Sequence, residues 1–387
     1  MALYSTIANM VNYSGKLVLA PMVRAGELPT RLLSLKYGAD LVWSPEIVDK
    51  KILQTERVVN TALNTIDHVL PNAHNNVVFR TFPSLERGKL IFQLGSADPD
   101  LAREAALKVI DDVDGIDLNC GCPKHFSIHS GMGAALLKKP EHLCSILTEL
   151  VEKVGKPNNK PISCKIRILE NEEDTLKLVR MICATGVANL TVHCRTTPMR
   201  NRESPIRDYI NSIFDVCKDH NVSMIVNGAI KDREDYENLF SYNKELGGMI
   251  AESAESNPTV FSKEVKPWFV AVKEFLEIAK EFDNNIGNTK YMLSRLVPGK
   301  SKFFQYFAQC KNEDDLDYIM SLVNEKGEAK EDPSEYLTRR REEEKLLKKK
   351  LGEQKALEKK AAKEAMKRAL EEHQEPNSSS KKPKIEC

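Results

Sequence analysis

Eight short apolar runs lie ahead of Glu252, and the helix-length segments between most of them leave few folds open to this chain. The runs are Lys16–Pro21 (KLVLAP), Ala39–Trp43 (ADLVW), Leu90–Leu94 (LIFQL), Gly115–Asn119 (GIDLN), Ile162–Ile166 (ISCKI), Leu190–His193 (LTVH), Met224–Asn227 (MIVN) and Gly248–Ala251 (GMIA). A continuous apolar run marks a strand buried on both faces, as in a parallel sheet covered by helices. Ala102–Val113, Pro140–Val154, Asp174–Thr185 and Tyr209–His220 are the clearest of the amphipathic segments between them. Strands and helices in that alternation predict an α/β fold, a (β/α)8 TIM barrel. An open doubly wound sheet is the weaker alternative, since no run is followed by the glycine fingerprint G-x-G-x-x-G. Leu53–Leu85 interrupts the rhythm and reads as an excursion over the barrel mouth.

Polar residues gather at one end of the runs. Met22 and Arg24 follow the first, Glu46 the second, and Gln93 lies in the third. Asn119 and Cys122 follow the fourth, Lys165 and Arg167 end the fifth, His193 and Arg195 the sixth, Asn227 and Gly228 the seventh. Any one of these could be a satisfied structural residue. On a closed barrel the strand tips converge on one mouth, so together they predict an active site there. The stretch Gly115–Pro123 (GIDLNCGCP) delivers an amide and a thiol to such a tip, and Pro123 ends regular hydrogen bonding just past Cys122. Cys120, two residues away in the turn, reads as packing.

Gln, Asn and Lys supply donors and acceptors suited to a planar ring bearing carbonyls and ring nitrogens. A lysine would stabilise negative charge at the N1–C2 side of a reduced flavin. Asn227-Gly228 and Ala251–Ser253 follow the last two strands, where barrels commonly bind a phosphate on backbone N–H groups. FMN fits both halves. An aldolase-like barrel with a Schiff-base lysine at Lys165 stays open on the residues alone.

The nine cysteines are odd in number and include no C-x-x-C pair, so neither a disulfide framework nor a zinc site is expected, and a reducing compartment is. The N-terminal stretch lacks the basic-then-apolar order of a signal peptide, and no apolar run reaches membrane-spanning length. The expected setting is the cytoplasm, with no metal and no membrane.

The stretches APMVRAG (20–26), FQLGS (92–96), DLNCGCPK (117–124), GMGAALL (131–137), CKIR (164–167), TVHCRT (191–196), VNGAI (226–230) and MIAESAESNP (249–258) resemble the tRNA-dihydrouridine synthases, most of all the eukaryotic branch that modifies uridine 20 of the D-loop. The resemblance implies that NADPH (or NADH) reduces FMN and that the flavin passes hydride to C6 of a uridine, with Cys122 as proton donor to C5. It assigns flavin contacts to Pro21, Met22, Val23, Gln93, Lys165, His193, Asn227, Gly228, Glu252 and Ser253. Asn119, Arg167 and Arg195 would face the substrate. Glu252 departs from the family, which usually has arginine there, so phosphate binding must lean on backbone amides.

Beyond the barrel, Val260–Lys280 and Lys290–Ala308 read as helices, and NTKY (288–291) resembles the family's helical RNA-binding domain. The implied layout is a catalytic barrel over 1–257, a helical tRNA-binding domain over 258–335 and a basic helical tail over 336–387. Lys290 and Arg295 are the RNA contacts this implies. From Tyr336 the sequence is rich in helix formers and basic residues, a solvated single helix by composition. Pro376–Lys384 is disordered by composition, and its KKPK resembles part of a nuclear-import signal. The expected partner is tRNA, the expected state a monomer; mRNA as a further substrate is left open. A small-molecule flavin oxidoreductase of the dihydroorotate dehydrogenase type, and a non-catalytic RNA-binding barrel, are the competing readings.

Overall fold

The computed structural model describes residues 11–71 and 76–372. The chain divides into two compact units, Met1–Glu328 and Ala329–Cys387. In the first, the strands are β1 (Leu17–Leu19), β2 (Leu41–Trp43), β3 (Ile47–Val48), β4 (Glu56–Asn60), β5 (Thr65–Val69), β6 (Val77–Thr81), β7 (Leu90–Gly95), β8 (Gly115–Cys120), β9 (Ile162–Arg167), β10 (Asn189–His193), β11 (Ser223–Asn227) and β12 (Gly247–Ile250). All pairings among β1, β2 and β7 to β12 are parallel, and β2 pairs with β7 to close an eight-stranded barrel, while β3 extends the tip of β7. Each of the eight apolar runs is one barrel strand. Every residue of β1, β2, β7, β8 and β12 is buried, as strands covered on both faces require.

The surrounding helices start where their sequences say they should. Asp98 caps the helix Pro99–Val109 by accepting from the Leu101 N–H, and Asn171 caps Glu172–Cys183 through the Asp174 N–H. Outward-facing side chains of the strands and inward faces of these helices form one continuous core, in which Cys120, Cys164, Cys183 and Cys217 are all buried.

The excursion after β2 differs from expectation. Residues of β4, β5 and β6 form a separate antiparallel sheet. It covers the outer side of the barrel instead of the mouth: Phe79 of β6 packs edge-on against Phe92 at 5.1 Å, and His68 meets Asp112, just ahead of β8, at 3.0 Å. Gln93, next in β7, points inward to Asp117, so Phe92 points out and needs an apolar cover.

The helices Trp268–Glu281, Ile286–Leu296, Lys302–Gln309 and Glu313–Ser321 belong to the same unit as the barrel. The single helix expected over Lys290–Ala308 is two, parted around Pro298, which cannot continue the ladder. In the second unit, Ser334–Glu372 is one helix of 39 residues, exposed along most of its described length except at Leu337, which is buried. Pro376–Lys384 lies outside the described residues. Among the described residues no helix is long and apolar enough to cross a membrane.

Candidate active site at the C-terminal mouth of the barrel

The turn after β8 is built by one amide. Asn119 Oδ1 accepts from the N–H of Gly121 at 3.0 Å and of Cys122 at 3.1 Å, so the side chain closes the turn that its own backbone opens. Pro123 and the short helix His125–His129 follow. The strand then has to let the glycine-rich segment come close. Gly133 has φ of +58°, and a Cβ there would stand 2.6 Å from the Cys122 carbonyl and 2.4 Å from Ser127 Oγ. Only glycine fits, and the Ala134 N–H then bonds the Cys122 carbonyl at 3.0 Å. This is the physical content of the GMGAALL stretch: it seats the turn carrying the thiol. Cys122 is half-buried, whereas Cys120 is fully buried in the helix layer.

Asn119 and Lys165 are register partners on adjacent strands, and Lys165 and Arg167 alternate onto the same side of β9. Burial pulls the Lys165 ammonium down to about 8, with Arg167 adding to the shift. Its Nζ has no hydrogen-bond partner among the described residues. Arg167 instead is tied to backbone: Nε donates to the Gly121 carbonyl at 3.1 Å, and Nη1 to the carbonyls of Thr196 and Met199 at 2.8 and 3.2 Å. Arg195 braces its own loop through the carbonyls of Glu203 and Asn201, both at 2.8 Å. Its Nη1 also donates to His193 Nε2 at 3.1 Å. Burial, with Lys165, Arg167 and Arg195 nearby, pushes the His193 pKa far down, so the ring is neutral and its one proton rests on Nδ1.

Gln93 Nε2 donates to Asp117 Oδ2 at 2.9 Å, and Ser163 Oγ donates to Asp117 Oδ1 at 2.7 Å. This fixes the Gln93 amide with its carbonyl oxygen as the remaining acceptor. Burial raises the Asp117 carboxyl to about 6 against those bonds. Asn227 Nδ2 donates to the Met249 carbonyl at 2.8 Å. The turn after it has φ of +128° at Gly228 and +52° at Ala229, with Arg207 holding the Gly228 carbonyl at 2.7 Å. The N–H groups of Gly228 and Ala229 carry no hydrogen bond among the described residues. After β12, the helix Glu252–Ser256 opens with further free N–H groups at Glu252 and Ser253, and the Glu252 carboxylate faces Arg195.

Pro21, Met22 and Val23 form the loop after β1, with Val23 exposed. The NTKY stretch docks on this same loop: Asn288 Nδ2 donates to the Arg24 carbonyl at 2.6 Å, and the Arg24 guanidinium stacks over Tyr291 at 4.1 Å. Tyr291 and Arg295 both hold Glu255, at 2.7 and 3.0 Å. Lys290 donates to the Cys310 carbonyl at 2.7 Å, within the helical region.

Glu46 follows the second strand, and its residue type alone assigns it no role. In the structure it stands beside Asn119 and Cys122, and burial raises its pKa against their pull. The signal was in the FQLGS stretch: a Cβ on Gly95 would lie 2.7 Å from Glu46 Oε1.

A thiol, an unpartnered amine, a neutral imidazole and two sets of free N–H groups thus share one mouth. The dihydrouridine synthase (Dus) family model matches residues 18–350. The tRNA-dihydrouridine(20) synthase [NAD(P)+] of Saccharomyces cerevisiae is 60% identical over 352 residues, covering 88% of this chain and 92% of that protein. Its namesake in Schizosaccharomyces pombe is 55% identical over 294 residues, 75% of this chain and 61% of that longer protein. A human tRNA-dihydrouridine(20a/20b) synthase [NAD(P)+]-like protein is 30% identical over 271 residues, 70% of this chain and 78% of that one. The chain belongs to the dihydrouridine synthase family of oxidoreductases.

Proposed function

We propose that this chain is a flavin-dependent tRNA-dihydrouridine(20) synthase, which reduces the C5–C6 double bond of a D-loop uridine with FMN as its flavin and NADPH or NADH as reductant. The observation that carries the reading is the Cys122 thiol held on the Asn119 turn beside an unpartnered Lys165 ammonium. The names of the two fungal relatives point the same way.

The residues present fit FMN. The free N–H groups of Gly228 and Ala229, joined by those at Glu252 and Ser253, suit its phosphate. The Gln93 carbonyl suits a ring N–H, and Lys165 suits the N1–C2 edge, with Pro21, Met22, Val23, His193 and Asn227 completing the wall. When bound and reduced, the flavin supplies hydride for C6 of the uracil. Cys122 gives its proton to C5, a general-acid role that a thiol mostly protonated near pH 7 can fill. Neutral His193 adds a donor without adding charge. Arg167 and Arg195 hold the loops that frame the uracil, and Asn119 presents its amide beside it.

A base inside folded tRNA has to be unstacked to reach this mouth, at a cost of a few kcal/mol that phosphate contacts offset. On this reading the barrel over 1–257 is the catalytic domain, 258–335 binds tRNA through faces that include Arg295, and the tail from 336 adds long-range attraction. Lys290 serves as a brace inside that helical region. The protein works as a monomer in the cytoplasm, with the nucleus a second site if KKPK is read by the import machinery. A dihydroorotate dehydrogenase-like activity is not favoured by the family membership.

The test is mass analysis of tRNA from a strain lacking the gene. Dihydrouridine should vanish at position 20 and return when this chain is supplied. Unchanged dihydrouridine at that position in the deletion strain sinks the proposal.

A further inference from the structure

The Glu46 carboxyl stands at the mouth beside the thiol, and the proposed reaction gives it no part. It enters from the tip of β2, and β3 right behind it is locked to β7 by the register pairs Ile47 with Leu94 and Val48 with Gly95. Gly95 leaves a notch that the carboxyl fills, its missing Cβ falling 2.7 Å from Oε1 and 3.3 Å from the carboxyl carbon. Oε1 is buried and accepts no hydrogen bond of ordinary geometry. The groups that face it are the Asn119 amide, the Cys122 thiol and, farther out, the Lys124 ammonium. Asn119 Oδ1 is occupied by the N–H groups of Gly121 and Cys122, so only its NH₂ is free to turn toward Glu46.

We propose that Glu46 keeps Cys122 a proton donor instead of a nucleophile: its walled-in carboxylate beside the sulfur disfavours the thiolate, so the thiol keeps its proton until the substrate carbanion removes it. Glu46 is a positioning residue, acting through Cys122, and the inference rests on Cys122 being the donor. Cysteine nucleophiles are activated by the reverse arrangement, a cation beside the sulfur that favours thiolate. Here burial and the Glu46 charge raise the thiol, opposed by Lys124 and by Ser127. Lys165 and Arg167 also lie near the sulfur. In the step itself the S–H bond breaks and the electron pair at C5 forms C5–H. The thiolate left beside a carboxylate is then reprotonated from water, while the reductant supplies the hydride already placed at C6.

The holoenzyme tests this without turnover. Iodoacetamide labelling of Cys122, followed by mass spectrometry of the peptide that carries it, gives the thiol titration directly. In the wild type Cys122 should titrate above the ordinary thiol value of about 8.5. In Glu46→Gln the limb should move down by about one unit, so that labelling at pH 8 is about tenfold faster. Flavin at the wild-type ratio is the check on folding. The alkaline limb of dihydrouridine formation should shift by the same amount. A wild-type Cys122 that titrates at or below the ordinary value overturns the proposal, as does a limb unmoved in Glu46→Gln. If that variant does not fold, the wild-type titration decides alone. Undiminished dihydrouridine from Cys122→Ala would instead overturn the proton-donor reading, whatever the titration gives.

Discussion

Arg167 donates its Nε–H to the carbonyl of Gly121 at 3.1 Å, tying the tip of β9 to the turn that carries Cys122. The same guanidinium holds Thr196 and Met199, so one side chain fixes the loops on two neighbouring strand tips. Arg167→Ala should leave three carbonyls, two of them buried, without this donor and release both loops. Dihydrouridine formation should fall at least a hundredfold. Arg167→Lys should recover little of it, because an ammonium cannot reproduce the planar fork. Rapid-quench assays on flavin-loaded protein check this, and activity of Arg167→Lys near wild type would count against it.

Lys165→Met should keep the fold and lose flavin, since the charge for the reduced ring's N1–C2 edge disappears. The pH dependence follows from the direction of the shift. With the folded-state value at about 8 and the ordinary value at 10.5, the unfolded chain binds more protons between those limits. Apoprotein stability from this group therefore rises with pH across that window, and flavin affinity falls as pH passes about 8. Paired urea and flavin titrations should show both slopes in the wild type and neither in Lys165→Met.

Cys122→Ala should still bind flavin and take electrons from NADPH, while dihydrouridine formation drops by about two to four orders of magnitude, the range for a positioned general acid. Cys120, whose thiol points into the helix layer, should tolerate alanine with wild-type chemistry. Equal losses from the two substitutions would remove the distinction between them.

Arg31 and Glu86 form a fully buried pair at 2.6 Å, joining the helix Leu28–Lys36 to the segment after β6. Glu86 also accepts from Thr81 Oγ1 and the Phe82 N–H, both at 2.8 Å. Arg31→Ala leaves a buried carboxylate uncompensated and should cost about 3–5 kcal/mol. Arg31→Met with Glu86→Leu should be far milder. Urea denaturation of the two variants separates them.

Ending the chain after Thr338 retains the buried Leu337 and removes the exposed basic helix beyond it. Melting temperature and flavin content should not change. Affinity for tRNA should weaken, and the slope of log affinity against log salt should flatten by about 0.7–0.9 for each phosphate contact removed. Identical slopes for the full and shortened chains would mean the tail does not touch RNA.

The barrel was legible in the sequence because strands buried on both faces read as bare apolar runs, and each ends close to where its run does. The strand-tip residues were legible for the same reason: Asn119, Lys165 and His193 are polar interruptions at fixed places in an apolar pattern. What stayed hidden depends on distant parts of the chain meeting. The Gly95 notch has meaning only once β3 lies beside β7, and the outward-facing Phe92 explains where Phe79 goes only once the excursion folds back. The resemblance implies that Arg167 and Arg195 face the substrate, and the structure adds a bracing role to each. Their bonds to backbone carbonyls are set by loop conformations that no local pattern encodes.

Lys165, Arg167 and Arg195 share a mouth whose imidazole is left neutral by burial first and by their company second, and burial works against the charge on each of the three. The fold therefore holds a repulsion that an anionic guest relieves. Occupancy and thermal resistance are then two readings of one equilibrium: a ligand at a hundred times its dissociation constant adds about 2.7 kcal/mol to the folded state. A cell short of flavin would hold this protein not merely idle but closer to unfolding, so its abundance would follow the supply of its own cofactor.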